Sequence, residues 1–339
     1  MQGIKEVLSN VKFRYSWGKV GSDRGASRFQ YIQLFNQADG INFGRDESTN
    51  FGPTYTEGAI AQPNATWETA VKQNIGIEIG MWNKLRITAD LFDEQREGIL
   101  LAPRTTAAWV GVAIASANLG ETKNHGIDLE VAWQDRIGKD FNYYVNFNFS
   151  TSENRVTFRD DPRNFLEHEM DKGKPIGFQT RYLVSGNYET IDDIFNAAQS
   201  SLDAAGNIIP GDFAYIDFNA DGVINNKDQV VVDQLNYPLT TYSLTLGFDW
   251  KGLGFSAMFY APTGVYKNAF DSFLWDFPQG YVKAQPNTLD RWTPQTANTE
   301  GVKRPAVHTN PKHNNTANTY KYTDYSYPVS YTHLRAHET

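Results

Sequence analysis

Apolar and polar residues alternate with period two along much of the chain, and no helical period of comparable length competes with that pattern. Ile75, Ile77, Ile79 and Met81 alternate with Gly76, Glu78 and Gly80. After Trp82-Asn83-Lys84 the pattern resumes, with Leu85, Ile87, Ala89 and Leu91 against Arg86, Thr88 and Asp90. Ile127, Leu129, Val131 and Trp133 are followed in the same way by Tyr143, Val145, Phe147 and Phe149. Tyr242, Leu244, Leu246, Phe248 and Trp250 are followed by Phe255, Ala257 and Phe259. Each pair predicts a β-hairpin, and Val11 to Trp17 predicts a further strand.

The links between these strands come in two kinds. Those at Trp82 to Lys84, Gln134 to Asp140 and Lys251 to Gly254 are short. Those at about Gly18 to Thr66, Glu97 to Asn124, Arg155 to Thr241 and from Thr263 onward are long, polar and rich in Gly, Asn, Pro and Thr. Long connections are unusual inside a compact soluble domain. Short turns on one rim and long loops on the other are the plan of an outer-membrane barrel, with periplasmic turns and extracellular loops.

The two faces of the strands point the same way. Trp82, Trp133 and Trp250 stand where a strand meets its short turn, and an indole favours the headgroup level, so the three read as part of an aromatic membrane girdle. Glu78, Asp90, Asp128, Glu130, Asn146, Asn148 and Asp249 occupy the other face. Such groups are stable only against water, which predicts a wet lumen. The expected fold is an all-β, transmembrane, antiparallel β-barrel with long extracellular loops. Six evident strands and the N-terminal one are too few to close it, and an open edge in lipid leaves unpaired backbone groups. The chain therefore reads as part of a larger barrel.

Composition narrows the classes. The 339 residues include no Cys, which removes disulfides, thiolate metal sites and Cys nucleophiles. A net charge of -8 without a long Lys/Arg block excludes a nucleic-acid footprint. Mean hydropathy is -0.52, and no run of about 18 apolar residues predicts a transmembrane helix. The 47 aromatic residues (21 Phe, 18 Tyr, 8 Trp) are expected to divide between girdle and loops.

Residues 1–6 lack the basic and apolar regions of a secretory leader, so Met1 reads as internal to a longer protein. Residues 329–339 resemble a translated adaptor tail and are expected to be non-native, leaving 1–328 as a partial barrel domain. Within it, Trp67-Glu68 with Asn74-Ile75-Gly76-Ile77-Glu78, then Asn118 to Asp128 (NLGETKNHGID), then Gly211 to Gly222 (GDFAYIDFNADG) occur in order. Together they resemble the C-terminal half of SusC/RagA-type TonB-linked outer-membrane proteins. The resemblance implies part of a 22-stranded barrel, with the plug domain and the TonB-contacting segment lying outside this chain. It also implies import of glycan or peptide oligomers with a SusD-like surface lipoprotein and TonB as partners.

One motif suggests a metal. Asp217, Asn219, Asp221, the Val223 carbonyl, Asn225 and Asp228 fall at positions 1, 3, 5, 7, 9 and 12 of a calcium-type loop, with Gly222 at position 6. Position 12 is Asp rather than Glu, and an Asx-rich turn that satisfies its own backbone is the alternative. No catalytic motif is present, and no enzyme activity is expected. Glu167-His168-Glu169, Asp160-Asp161 and Asp192-Asp193 read as solvated loop charges. Trp109, Tyr188, Phe195, Trp275, Tyr281 and Trp292 are loop aromatics that could stack on cargo or pin loops together. A secreted all-β, calcium-stabilised adhesin or glycan-binding module is the rival reading.

Overall fold

The computed structural model describes residues 7–42, 50–202, 207–232, 235–265, 286–297, 304–308, 315 and 331–338. Its main feature is one eight-stranded antiparallel sheet. We number the wall strands β1 (Leu8–Ser22), β2 (Glu68–Met81), β3 (Leu85–Leu101), β4 (Ala117–Ile137), β5 (Phe141–Arg159), β6 (Thr240–Trp250), β7 (Leu253–Thr263) and β8 (Tyr331–Glu338). Each wall strand pairs with the next in sequence, so the sheet is a simple meander. The segment set aside in the sequence as a non-native tail contributes β8, laid along β7 with Tyr331 opposite Tyr260.

The register keeps every apolar set on one face. Phe13 lies opposite Ile77, Ile77 opposite Ala89, and Ala89 opposite Leu129. Leu129 lies opposite Phe149, and Phe149 opposite Tyr242. A slip of one residue anywhere would bring the carboxylates to this side. Among the described residues nothing covers the face: Phe13 is 74% exposed and Ile75 57%. So extended an apolar patch suits lipid, not water. Tyr242 to Trp250 measures about 27 Å at about 3.3 Å per residue, close to the apolar band of an outer-membrane barrel.

Tight turns set that register. Trp82 and Asn83 both have φ 54°, and Lys84 N donates to the Met81 carbonyl at 3.0 Å, which is a type I′ hairpin turn. Lys251 (φ 46°) and Gly252 (φ 91°) repeat it between β6 and β7. Trp82 therefore sits in the turn itself, in a conformation that bulky residues seldom adopt.

The strands differ from the sequence expectation at their other ends. β3 runs ten residues beyond Leu91, and β5 ten beyond Phe149. In these extensions both faces are polar: Asp93 on the outer side pairs with Lys123 at 3.2 Å, while Glu94 on the inner side pairs with Lys72. With water on both sides the alternation disappears, although the hydrogen-bond ladder continues.

The densest apolar packing is above the sheet. The described residues between 160 and 239 fold back as a roof built from short strand pairs (Gln179–Tyr182 with Gln229–Val232, Val184–Asn187 with Phe213–Tyr215) and a helix, Ile191–Asn196. Tyr182, Phe213, Tyr215 and Ile224 form its core, with Val184, Ala198 and Leu202 against it.

Candidate functional site

Grooves indent the inner face of the wall, among them a lower and an upper one along β3 to β5. The lower is about 410 Å³ and is lined by Asp90, Asp128, Glu130, Asn148, Ser150 and Ser243, among others. These are alternate residues of β3 to β6, brought into one patch by the ladder. Arg14 Nη2 reaches Asp90 Oδ2 at 2.8 Å across Gly76, where any Cβ would strike the Asp90 carboxylate. Arg86 pairs with Glu130 at 3.3 Å. Among the described residues, Asp128, directly opposite Asp90, accepts only the Ser150 hydroxyl, at 2.5 Å. Asn148 Nδ2 donates to Ser243 Oγ at 3.2 Å. Gly126 and Gly247 make room for the rings of Phe92 and Tyr144, and Tyr144 OH then reaches Ser256 Oγ at 3.2 Å.

The upper groove, about 580 Å³, lies where the strand extensions meet the roof. Arg96 bridges Glu68 at 3.0 Å and Glu94 at 2.8 Å, and Lys72 also holds Glu94 at 3.2 Å. Asn154 is fixed by Ile176 N (2.6 Å) and by Tyr237 OH (3.2 Å). Arg24, Thr122, Asn124 and Ser152 also line it. The sequence reading gave none of these residues a role in a site. The available signal was the persistence of period two in charged residues beyond the apolar runs, as in Lys72, Glu94 and Arg96.

Polar fasteners hold the roof. Arg104 Nη1 binds Asp161 at 2.8 Å and Asp171 at 3.0 Å. Burial raises the Asp160 carboxyl's pKa, but hydrogen bonds from the Thr105 hydroxyl and from the Thr105 and Arg104 N–H groups outweigh it and leave the pKa below its ordinary value. Asp212, fully buried, accepts from His308 Nε2 (2.6 Å), Asn315 Nδ2 (2.8 Å) and Ile209 N (3.0 Å). Asp193 caps the short helix with Thr190. His168 contacts the Lys227 carbonyl at 2.7 Å and Glu169 accepts from Leu166 N, so Glu167-His168-Glu169 serves loop packing.

The loop aromatics separate by environment. Trp109 and Phe195 are 87% and 82% exposed. Tyr188 is buried in the roof, and burial pushes its hydroxyl pKa up. The half-buried Trp292 ring lies on Gly211 (φ 96°), where a Cβ would collide with it. Trp275 and Tyr281 lie outside the described residues. Trp82, Trp133 and Trp250 all stand at the short-turn end of the sheet, Trp82 and Trp250 about half exposed and Trp133 Nε1 3.4 Å from Tyr143 OH.

In the 217–228 turn the side chains at positions 1, 3 and 5 converge. Asp217 accepts from Asp221 N and Gly222 N, and Asn219 Nδ2 lies 3.1 Å from Asp221 Oδ2. Asp228 is fully buried and aimed at the backbone, accepting from Phe218 N (2.9 Å), Asn219 N (3.3 Å) and Asn225 N (2.8 Å). Among the described residues no three His, Asp or Glu side chains form a metal-holding group.

The model of the family described as TonB dependent receptor-like, beta-barrel matches residues 9–293. The chain belongs to that family. The TonB-dependent receptor P3 of Formosa agariphila is 24% identical over 318 residues, 89% of this chain and 30% of that protein. The TonB-dependent receptor SusC of Bacteroides thetaiotaomicron is 23% identical over 235 residues, 66% of this chain and 22% of that protein. The fold is similar to that of a chain in the structure of the RagAB peptide transporter, with a TM-score of 0.68 at 18% identity, over 97% of this chain and 34% of that one. The chain thus spans about a third or less of the proteins it matches. As a TonB-dependent receptor barrel it is a stretch of outer-membrane wall: the apolar face meets lipid, the two grooves face the lumen, and the roof is extracellular.

Proposed function

We propose that the protein containing this wall imports oligomeric nutrients, glycans or peptides, across the outer membrane with energy delivered through TonB, and that a SusD-like surface lipoprotein covers its outer opening. The observation that carries this is the largely polar face beneath a folded roof, running from Asp128 and Asn148 up to Asn124 and Arg96. Hydroxyl, amide and carboxylate groups along such a face exchange hydrogen bonds with a polar oligomer with little desolvation cost. The family assignment supports TonB coupling. The RagAB structure, named a peptide transporter, supports an oligomeric cargo. In this reading the three rim Trp residues sit at the inner headgroup level, Trp109 is an accessible stacking surface, and no catalytic role falls to any residue.

The convergence of Asp217, Asn219 and Asp221 favours an accessory role for calcium. We propose that these three side chains, the Val223 carbonyl and Asn225 supply its ligands, with Asp228 left on the backbone and the ion ordering the roof.

Import is tested by deleting the full-length gene and measuring uptake of labelled glycan and peptide oligomers. Uptake should fall on deletion and in a strain lacking TonB, and return on complementation. Uptake that is unchanged by both deletions would overturn the reading.

A further inference from the structure

We propose that the upper groove is a carboxylate-recognition subsite, with Arg24 as its specificity-determining residue. This rests on the import reading and narrows the cargo to oligomers carrying carboxylate groups.

The argument begins with charge. Glu68 and Glu94 are matched within the groove by Arg96 and Lys72, at 2.8 to 3.2 Å. Those four charges cancel, and each is committed to a partner. Arg24 is different. Its backbone N–H binds Ser22 Oγ, while its guanidinium makes no ion pair or hydrogen bond with any described residue. One cation without a partner among the described residues therefore lines the groove.

The remaining polar lining is also available. Thr122, Asn124 and Ser152 lie on the lumen face of β4 and β5, and their side chains form no hydrogen bond to another described residue. Asn154 and Tyr237 are by contrast tied to the Ile176 backbone, which makes a fixed wall. Ile99 and Leu100 supply an apolar floor. A planar guanidinium beside two free hydroxyls and one amide suits a carboxylate that takes paired N–H donors, with neighbouring hydroxyl or amide groups satisfied by the ring. A wholly neutral oligomer would use the hydroxyls and leave the guanidinium to water.

Two sources supply this chemistry: uronic-acid oligosaccharides, and peptides through a C-terminus or acidic side chain. The experiment uses the full-length receptor in detergent, titrated by calorimetry. One pair of probes is an oligogalacturonide and its carboxyl-reduced, neutral counterpart; the other is a peptide with a free or an amidated C-terminus. In at least one pair the carboxylate form should bind about tenfold tighter, the worth of a charge-assisted contact. Arg24→Gln should abolish that preference, and Arg24→Lys should keep part of it. Equal affinities in both pairs, a preference that survives Arg24→Gln, or no binding of any probe at millimolar concentration would each overturn the subsite. Normal uptake of neutral oligomers alongside such a result would leave the import reading intact.

Discussion

A charge placed on one face of β6 should be ruinous, and the same charge one residue later should be tolerated. Leu244 lies in the middle of the apolar run, opposite Phe147 on β5 and Phe259 on β7. Thr245 is its neighbour on the lumen side, between Asn146 and Met258. Leu244→Arg puts a guanidinium near the bilayer midplane, costing about 2 to 4 kcal/mol in barrels of this kind. That reduces the folded-to-unfolded ratio by about 30-fold to about 700-fold, at about 1.4 kcal/mol per factor of ten. Thr245→Arg enters the wet lumen beside Asn146 and should cost under about 1 kcal/mol. Leu244→Ala separates lost packing from buried charge. The assay is urea unfolding of the full-length protein folded into lipid vesicles, read by Trp fluorescence. Equal costs for the two Arg substitutions, or a larger cost at Thr245, would refute the assignment of faces and with it the lumen.

Further outcomes follow from the same geometry. Gly126→Ala should destabilise the wall by about 1 to 3 kcal/mol, because its Cβ would meet both the Thr151 carbonyl and the Phe92 ring. Gly186→Ala, where nothing lies within 4 Å, should stay within about 0.5 kcal/mol of the parent in the same unfolding assay. The Asp160 pKa is lower in the folded state than its ordinary value, so its contribution to stability is present above that ordinary value and is lost as pH falls through the folded one. Acid should therefore speed hydrogen exchange at the Arg104 and Thr105 amides, and Asp160→Asn should remove that acid step. Calorimetry with calcium on the full-length protein should show binding that Asp217→Asn together with Asp221→Asn abolishes. No heat at millimolar calcium would leave the 217–228 turn as a self-satisfied Asx turn.

Much of the wall was legible because lipid and water act on alternate residues. Ile75 to Leu91 and Tyr242 to Phe259 carry that opposition through most of their strand positions, and the short Trp82-Asn83 link stands between the first pair of strands. Where both faces meet water the signal vanishes, so the extensions through Arg96, Lys123 and Arg155 read as loop although they continue the ladder. The roof was not legible as a fold. Its core of Tyr182, Phe213, Tyr215 and Ile224 shows no sustained periodic run, since the four residues come from three short strands of two to four residues each. Of the site, the acidic and amide lining of the lower groove could be read from alternation. The Arg96 bridge and Arg24 could not, because both depend on which loop and strand ends meet above the membrane.

The Asp212 cluster carries a consequence for the entropy of chain closure. Each wall hairpin closes through neighbours joined by a turn of a few residues, so its pairing carries little loop-closure cost. The roof is the opposite case: the hydrogen bond from Phe213 N to Asn315 Oδ1 joins residues 102 apart in sequence, and β6 and β7 lie between them. Closing the Asp212–Asn315 contact therefore costs more chain entropy than closing any of the hairpin turns. Opening the roof breaks these polar contacts without breaking the hydrogen-bond ladder of the sheet beneath it.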